Sequence, residues 1–238
     1  MVEWLVLLLA AFLPPVVYVV WIRNTERYHR EPWRAVFTAF LWGATLAVAA
    51  SLFLEVVLDI SLAATIRDYS LYSLLLVVVV APVVEEFTKP LALTLRTVRR
   101  EVRELEDGLI YGAAAGLGFS ATENLFYGHG FWREGWLVFL LLISLRTVGA
   151  CLLHASATAM TGYGYGRALL TRQPLAAVLP YFALAIGAHA LYNFLASFSL
   201  FGVGVGVGAA LLFSLLSITY VRSRIRALDQ APLEDGLR

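Results

Sequence analysis

The chain is 238 residues long, 60% hydrophobic and 15% charged, with a mean hydropathy of +0.77; ordinary soluble domains carry roughly 25% charged residues. A water-soluble fold cannot hide that much apolar surface, and a formal net charge of +1 with basic residues beside apolar runs leaves no basic face for nucleic acid. One cysteine, Cys151, excludes an intramolecular disulfide and a thiol-based zinc cluster.

Apolar runs predict spans at about 4–22, 35–57, 71–95, 107–127, 136–166, 175–198 and 202–221. Backbone groups in hydrocarbon must be satisfied within their own segment, so runs of this length are helices rather than barrel strands. The expected fold is an all-α, polytopic membrane bundle of about seven transmembrane helices. It forms one domain over residues 1–226, with a short, disordered cytoplasmic tail over 227–238. Met1 to Ile22 carries Glu3, no Lys or Arg and no small-residue cleavage site, so it reads as the first span and not as a signal peptide.

Span 1 is followed by Arg23, Arg27, Arg30 and Arg34, and span 3 by Arg96, Arg99, Arg100 and Arg103. Arg167 and Arg172 follow span 5, and Arg222, Arg224 and Arg226 follow span 7, whereas the alternate connections hold only Arg67 and Arg133. The positive-inside rule then places the N-terminus outside and the C-terminus in the cytoplasm.

A charged group near the bilayer centre costs about 2.5 to 3.5 kcal/mol on insertion scales, so ionisable residues inside spans are functional candidates. Span 3 carries Glu85-Glu86-Phe87-Thr88-Lys89 between Pro82 and Pro90. Glu85 and Lys89 stand one helical turn apart and can neutralise each other, with Glu86 about 100° round the helix. Two adjacent carboxylates in low dielectric repel, which makes one of them a usable acid or base. Span 4 carries Gly108, Gly112 and Gly116 at four-residue spacing, which lets two helix backbones approach closely and puts this span at the bundle centre. It continues through Phe119 to Glu123 and Asn124, with Glu123 on the close-packed face. Span 5 contributes His154, with Arg146 two turns earlier to balance carboxylate charge, and span 6 contributes His189 and Asn193 one turn apart. Span 7 opens on Gly202, Gly204, Gly206 and Gly208 alternating with Val, a pattern that reads as a loose helix entry. His29 and His129 fall in loops and take no role.

Glu85-Glu86-x-x-Lys89, Phe119-x-x-x-Glu123-Asn124, a span-5 histidine and His189-x-x-x-Asn193, in that order on successive helices, resemble the PrsW family of bacterial intramembrane proteases. That family is distantly similar to the CAAX prenyl endopeptidases and Abi-type membrane proteins. The resemblance covers roughly residues 80–195. Lys89 stands three residues after the second Glu where the wider pattern has Arg four after it, and Glu123 stands where a histidine is usual; both departures favour PrsW. The resemblance implies a bacterial inner-membrane enzyme that makes the site-1 cut in a single-pass membrane protein, with an anti-sigma factor as the namesake substrate.

Peptide hydrolysis in a bilayer needs a water nucleophile, a base and donors for the oxyanion. Glu85 is the expected base, tuned by Glu86 and Lys89. His189 helps hold the water, Asn193 or His154 meets the oxyanion, and Glu123 completes a polar cavity or orients a histidine. Asn124 and Arg146 are supporting residues. Zinc stays open, with His154, His189 and Glu85 or Glu123 as its ligands; the H-E-x-x-H helix is absent. The competing classes are a proton-coupled transporter or ion pathway that uses the same Glu/His cluster, and a non-catalytic scaffold. Substrate identity and oligomeric state are not encoded in these motifs.

The orientation is open to a direct check. Reporter fusions should place the N-terminus outside and the loops beginning near Arg23, Arg96 and Arg167 inside; a cytoplasmic N-terminus would overturn both orientation and span count.

Overall fold

The computed structural model describes residues 2–198 and 202–230, which are helical throughout apart from short connections. Seven long helices follow one another: α1 (Val2–Arg23), α2 (Trp33–Thr65), α3 (Tyr69–Thr94), α4 (Leu105–Phe131), α5 (Trp136–Leu170), α6 (Leu175–Ser197) and α7 (Val203–Asp229). All but α4 are apolar and long enough to cross a membrane. At 27 residues α4 is also long enough. Its composition differs because it is the centre of the bundle: an unbroken run from Glu106 to Ala121, dominated by Gly and Ala, is buried. Helices α1, α2, α5 and α7 pack around it.

Small residues make this central position available. An added Cβ on Gly108, Gly112 or Gly116 would stand 2.3, 2.5 and 2.2 Å from the carbonyl oxygens of Gly162, Thr158 and His154 on α5. The two antiparallel helices therefore touch backbone to backbone every turn. On its other side α4 meets α2 as closely, where a Cβ on Gly118 would fall 1.9 Å from the Phe40 oxygen. In α7, by contrast, Gly208 faces open space and only Gly206 abuts a neighbour, the Leu195 carbonyl.

Two helices depart from α geometry beside the polar interior. A π turn interrupts α2 at Gly43–Ala47, and a second interrupts α3 at Leu76–Val80. In a π turn the carbonyl of residue 77 would accept from the N–H of residue 82, and residue 82 is proline. The Asn193 amide of α6 fills that gap, donating to the Val77 carbonyl at 2.9 Å. Helix α5 bends at Gly149.

At the arginine-rich end, α7 runs past the expected boundary at 226. Its last residue, Asp229, accepts from the backbone N–H groups of Arg27 and Tyr28 at 3.0 and 3.2 Å, which anchors residues 227–229 as helix. The remainder of the expected tail, 231–238, lies outside the described residues.

The α4–α5 seam makes a prediction. Gly116→Ala should destabilise the protein by about 1–3 kcal/mol, the usual range for overpacking, and displace His154, whose carbonyl it strikes. Gly187→Ala, where nothing lies within 4 Å, should leave the Tm unchanged or slightly raised. Equal tolerance at both positions in a thermal unfolding assay would contradict the close seam.

Candidate active site

Helix α3 enters the bundle interior through Pro82 and presents three buried ionisable residues within one turn: Glu85, Glu86 and Lys89. The Lys89 ammonium is completely buried and lies 2.8 Å from Glu85 Oε2, 2.9 Å from Glu86 Oε1 and 2.8 Å from His154 Nδ1. The sequence spacing paired Lys89 with Glu85 alone and turned Glu86 away. Instead the lysine bridges both acids, because positions three and four residues back lie on the same helix face. The Phe119 ring closes the remaining side, 4.4 Å from the ammonium.

The other three motifs converge on this ion pair. His189 Nδ1 is 3.0 Å from Glu86 Oε1, and Thr158 donates to Glu86 Oε2 at 3.0 Å, so both oxygens of Glu86 are occupied. His189 Nε2 faces Glu85 Oε2 at 3.9 Å. On the far side of His154, Nε2 is 2.9 Å from Glu123 Oε2, which also meets Arg146 Nη2 at 2.9 Å. Arg146 Nε donates to Asn124 Oδ1 at 2.7 Å, so Arg146 is committed to the interior and does not reach for the membrane surface. The two imidazoles meet edge to face with centroids 4.8 Å apart.

A cavity of about 570 Å³ opens onto this cluster. Glu85, Glu123, Arg146, His154, His189 and Asn193 line it; Glu86, Lys89 and Asn124 stand behind it. Its walls are the C-terminal half of α2, α3 from its start to Glu85, the C-terminal ends of α4 and α6, α5 from its start to His154 and the N-terminal end of α7. These helix ends all lie opposite the arginine-rich loops. Although Glu85 Oε2 is within ion-pair distance of Lys89, the angle is too poor for a hydrogen bond, and that oxygen is buried without a hydrogen-bonding partner. Glu85 is thus the acid that lines the cavity, with a buried oxygen that no donor satisfies, and Glu86 is the acid locked in place.

Asn193 sits one turn beyond His189 as expected, with one amide hydrogen committed to Val77. Sequence reasoning missed Glu55 and Asp59, one turn apart on α2, and Tyr127 and Tyr192, all of which line the cavity. Glu55 lies inside a predicted span, so the rule that flags ionisable residues at membrane depth applies to it as well. The tyrosines carry no such signal. His29 pairs with Glu104, and His129 stacks on Trp4, both away from the cluster.

Comparison with known proteins agrees with this geometry. A family model described as PrsW family intramembrane metalloprotease matches residues 31–220. Among curated proteins, Protease PrsW of Clostridioides difficile (strain 630) is 35% identical over 124 residues, covering 51% of this chain and 50% of that protein. The chain therefore aligns with about half the length of this curated relative. No solved structure matches. The matched region runs from the loop before α2 into α7 and contains every residue of the cluster, and the chain belongs to the PrsW family of intramembrane metalloproteases.

Proposed function

We propose that the protein is an endopeptidase that cuts a single-pass membrane protein within the bilayer, using a water molecule activated by Glu85. The observation that carries this reading is the pairing of two acceptors at one point of the cavity. With the Nδ1–H of His189 given to Glu86, Nε2 is left as an acceptor, 3.9 Å from the unsatisfied Glu85 Oε2. A water seated between them donates a hydrogen to each and keeps an oxygen lone pair for attack.

The chemistry then balances within these residues. Glu85 takes a proton from the water as its oxygen adds to the scissile carbonyl. The oxyanion is met by the uncommitted amide hydrogen of Asn193, whose other hydrogen fixes the side chain on Val77. Protonated Glu85 returns the proton to the leaving amine as the C–N bond breaks, giving new carboxyl and amino ends. Glu86 and Lys89 position the base and the imidazoles, and neither faces the substrate. His154 accepts from Lys89 at Nδ1, so its Nε2–H donates to Glu123.

The family description implies a metal, and the donor set fits one. One ligand atom each of Glu85, His154 and His189 lies within 4.8 Å of the others, and two imidazoles with a carboxylate are a common catalytic zinc set. Glu85 Oε2 is orphaned and His189 Nε2 is free, and the Glu86–His189 bond is the carboxylate–histidine support typical of metal ligands. His154 would complete the set by exchanging Lys89 for the cation. With zinc bound, Glu85 Oε2 and His189 Nε2 would be its ligands in place of their contacts to the water, and the metal would polarise the carbonyl and acidify the water in place of the glutamate base.

The cavity lies in the half of the bundle opposite the arginine-rich loops. With the N-terminus outside and the C-terminus inside a bacterial inner membrane, that half is the outer one, which suits a site-1 cut. The family resemblance implies an anti-sigma factor as the substrate.

Cleavage of a co-expressed single-pass substrate by purified enzyme in liposomes tests this reading. Glu85→Gln should lower activity by about 10²-fold or more, the typical contribution of a general base, and His189→Ala should abolish it with the protein still folded. Phe87→Leu, on the exposed face of the same helix, should be neutral. A chelator should suppress cleavage and zinc restore it. Undiminished cleavage by Glu85→Gln would remove Glu85 as the base, and a wild type inactive on every membrane peptide would favour an ion pathway or scaffold.

A further inference from the structure

A second acidic cluster lies at the other end of the bundle, where the loop between α1 and α2 folds over the start of α4. Glu26, Glu31 and Asp107 are 0%, 2% and 4% exposed. One carboxylate oxygen from each lies within 4.8 Å of the others. The three are built into place. Glu26 Oε2 accepts from the Glu31 backbone N–H at 3.3 Å, Tyr111 donates its hydroxyl to Glu31 Oε2, and Asp107 Oδ2 accepts from the N–H groups of Arg103 and Glu104 at 2.6 and 2.8 Å.

What the cluster lacks is a cation. Glu26 Oε1 and Glu31 Oε1 are buried with no hydrogen-bonding partner. Two arginines of the same loop bond its backbone and not its carboxylates: Arg23 Nε donates to the Glu31 carbonyl at 2.7 Å, and Arg30 Nε to the Glu26 carbonyl at 3.0 Å. Neighbouring acids do find partners, Glu101 with Arg34 and Arg103 and Glu104 with His29. Among the described residues, none of the three clustered carboxylates makes an ion pair with Lys, Arg or His. Buried charge left without a partner is among the costliest arrangements in a protein.

We propose that Glu26, Glu31 and Asp107 form a structural site for a hard divalent cation, of the magnesium, manganese or calcium class, that fastens the α1–α2 loop to the N-terminus of α4. The donors are all carboxylate oxygens, which select hard cations over zinc. Two oxygens bound to one calcium ion stand at most about 4.6–5.2 Å apart, twice the usual metal–oxygen distance, and the three oxygens fall within that spread. A cavity of about 200 Å³ lined by Glu31 and Asp107 adjoins the site and gives an ion and its waters a route from the aqueous side. The two clusters differ in chemistry: mixed nitrogen and oxygen donors at membrane depth, oxygen alone here.

Manganese is the probe. Full-length protein in detergent, stripped with chelator and carrying His154→Ala and His189→Ala to silence the other cluster, is titrated with Mn²⁺ while free Mn²⁺ is followed by electron paramagnetic resonance. One Mn²⁺ per chain should bind and be displaced by Mg²⁺ or Ca²⁺. Adding Glu31→Gln or Glu26→Gln should weaken binding at least tenfold. In chelator, Glu31→Gln should unfold at the same temperature as its parent or higher, because it relieves repulsion, and should lose the rise in Tm that Mn²⁺ gives the parent. Absence of stoichiometric binding, or equal binding by both glutamine variants, would overturn the proposal and leave carboxyls that share a proton. Neither outcome depends on proteolytic activity.

Discussion

The Lys89 ammonium is the constraint on which the site depends. A fully buried ammonium is tolerable only when its charge is matched and acceptors stand around it. Here Glu86 and His154 accept from it, the Glu85 carboxylate balances its charge at 2.8 Å, and the Phe119 ring covers the fourth side. Because these partners come from α3, α4 and α5, and because Glu86 also holds His189 of α6, satisfying one cation fixes four helices. The same contacts sort the two glutamates. Glu86 spends both oxygens on hydrogen bonds inside the protein, whereas Glu85 meets Lys89 off-axis and lines the cavity. Adjacent residues of the same type thus acquire different work from geometry alone.

That arrangement needs α4 and α5 in near contact, and in lipid no hydrophobic force brings two helices together. Small residues let dispersion do so instead. Gly116 meets the carbonyl of His154, so the backbone of the site histidine is itself part of the seam. Glu123, seven residues beyond Gly116, returns to the same face after two turns and therefore meets α5, where His154 and Arg146 receive it.

Features governed by local pattern were legible before the structure. The seven helices follow from apolar run length, the close seam from Gly108, Gly112 and Gly116, and the convergence of Glu85, His154 and His189 from the cost of polar groups at membrane depth. Features that arise only when distant segments meet were not. The bond from Asn193 to Val77 exists because a π turn and Pro82 together orphan a carbonyl, and no spacing rule on α6 reports a defect on α3. Glu55 was readable in principle, but its partner one turn on, Asp59, falls beyond the expected span end at 57, so the pair reads as the end of a span. Glu26 and Glu31 lie in an arginine-rich loop, where acids read as solvated partners for the arginines; their burial comes from Asp107 and Tyr111, about eighty residues away in the chain.

The two acidic clusters pose one electrostatic problem in two media. At membrane depth, the permanent counter-charge of Glu85 and Glu86 is carried on the chain, as Lys89, and does not depend on a metal reaching the cluster through the cavity. At the arginine-rich end, the cluster of Glu26, Glu31 and Asp107 borders a cavity with aqueous access, and a dissolved ion can arrive with most of its hydration intact. A covalent cation there would hold the loop permanently. An exchangeable one makes the grip of the α1–α2 loop on α4 depend on the ion concentration beside it, while the helices that carry Glu85, His154 and His189 stay clamped by a charge that cannot leave.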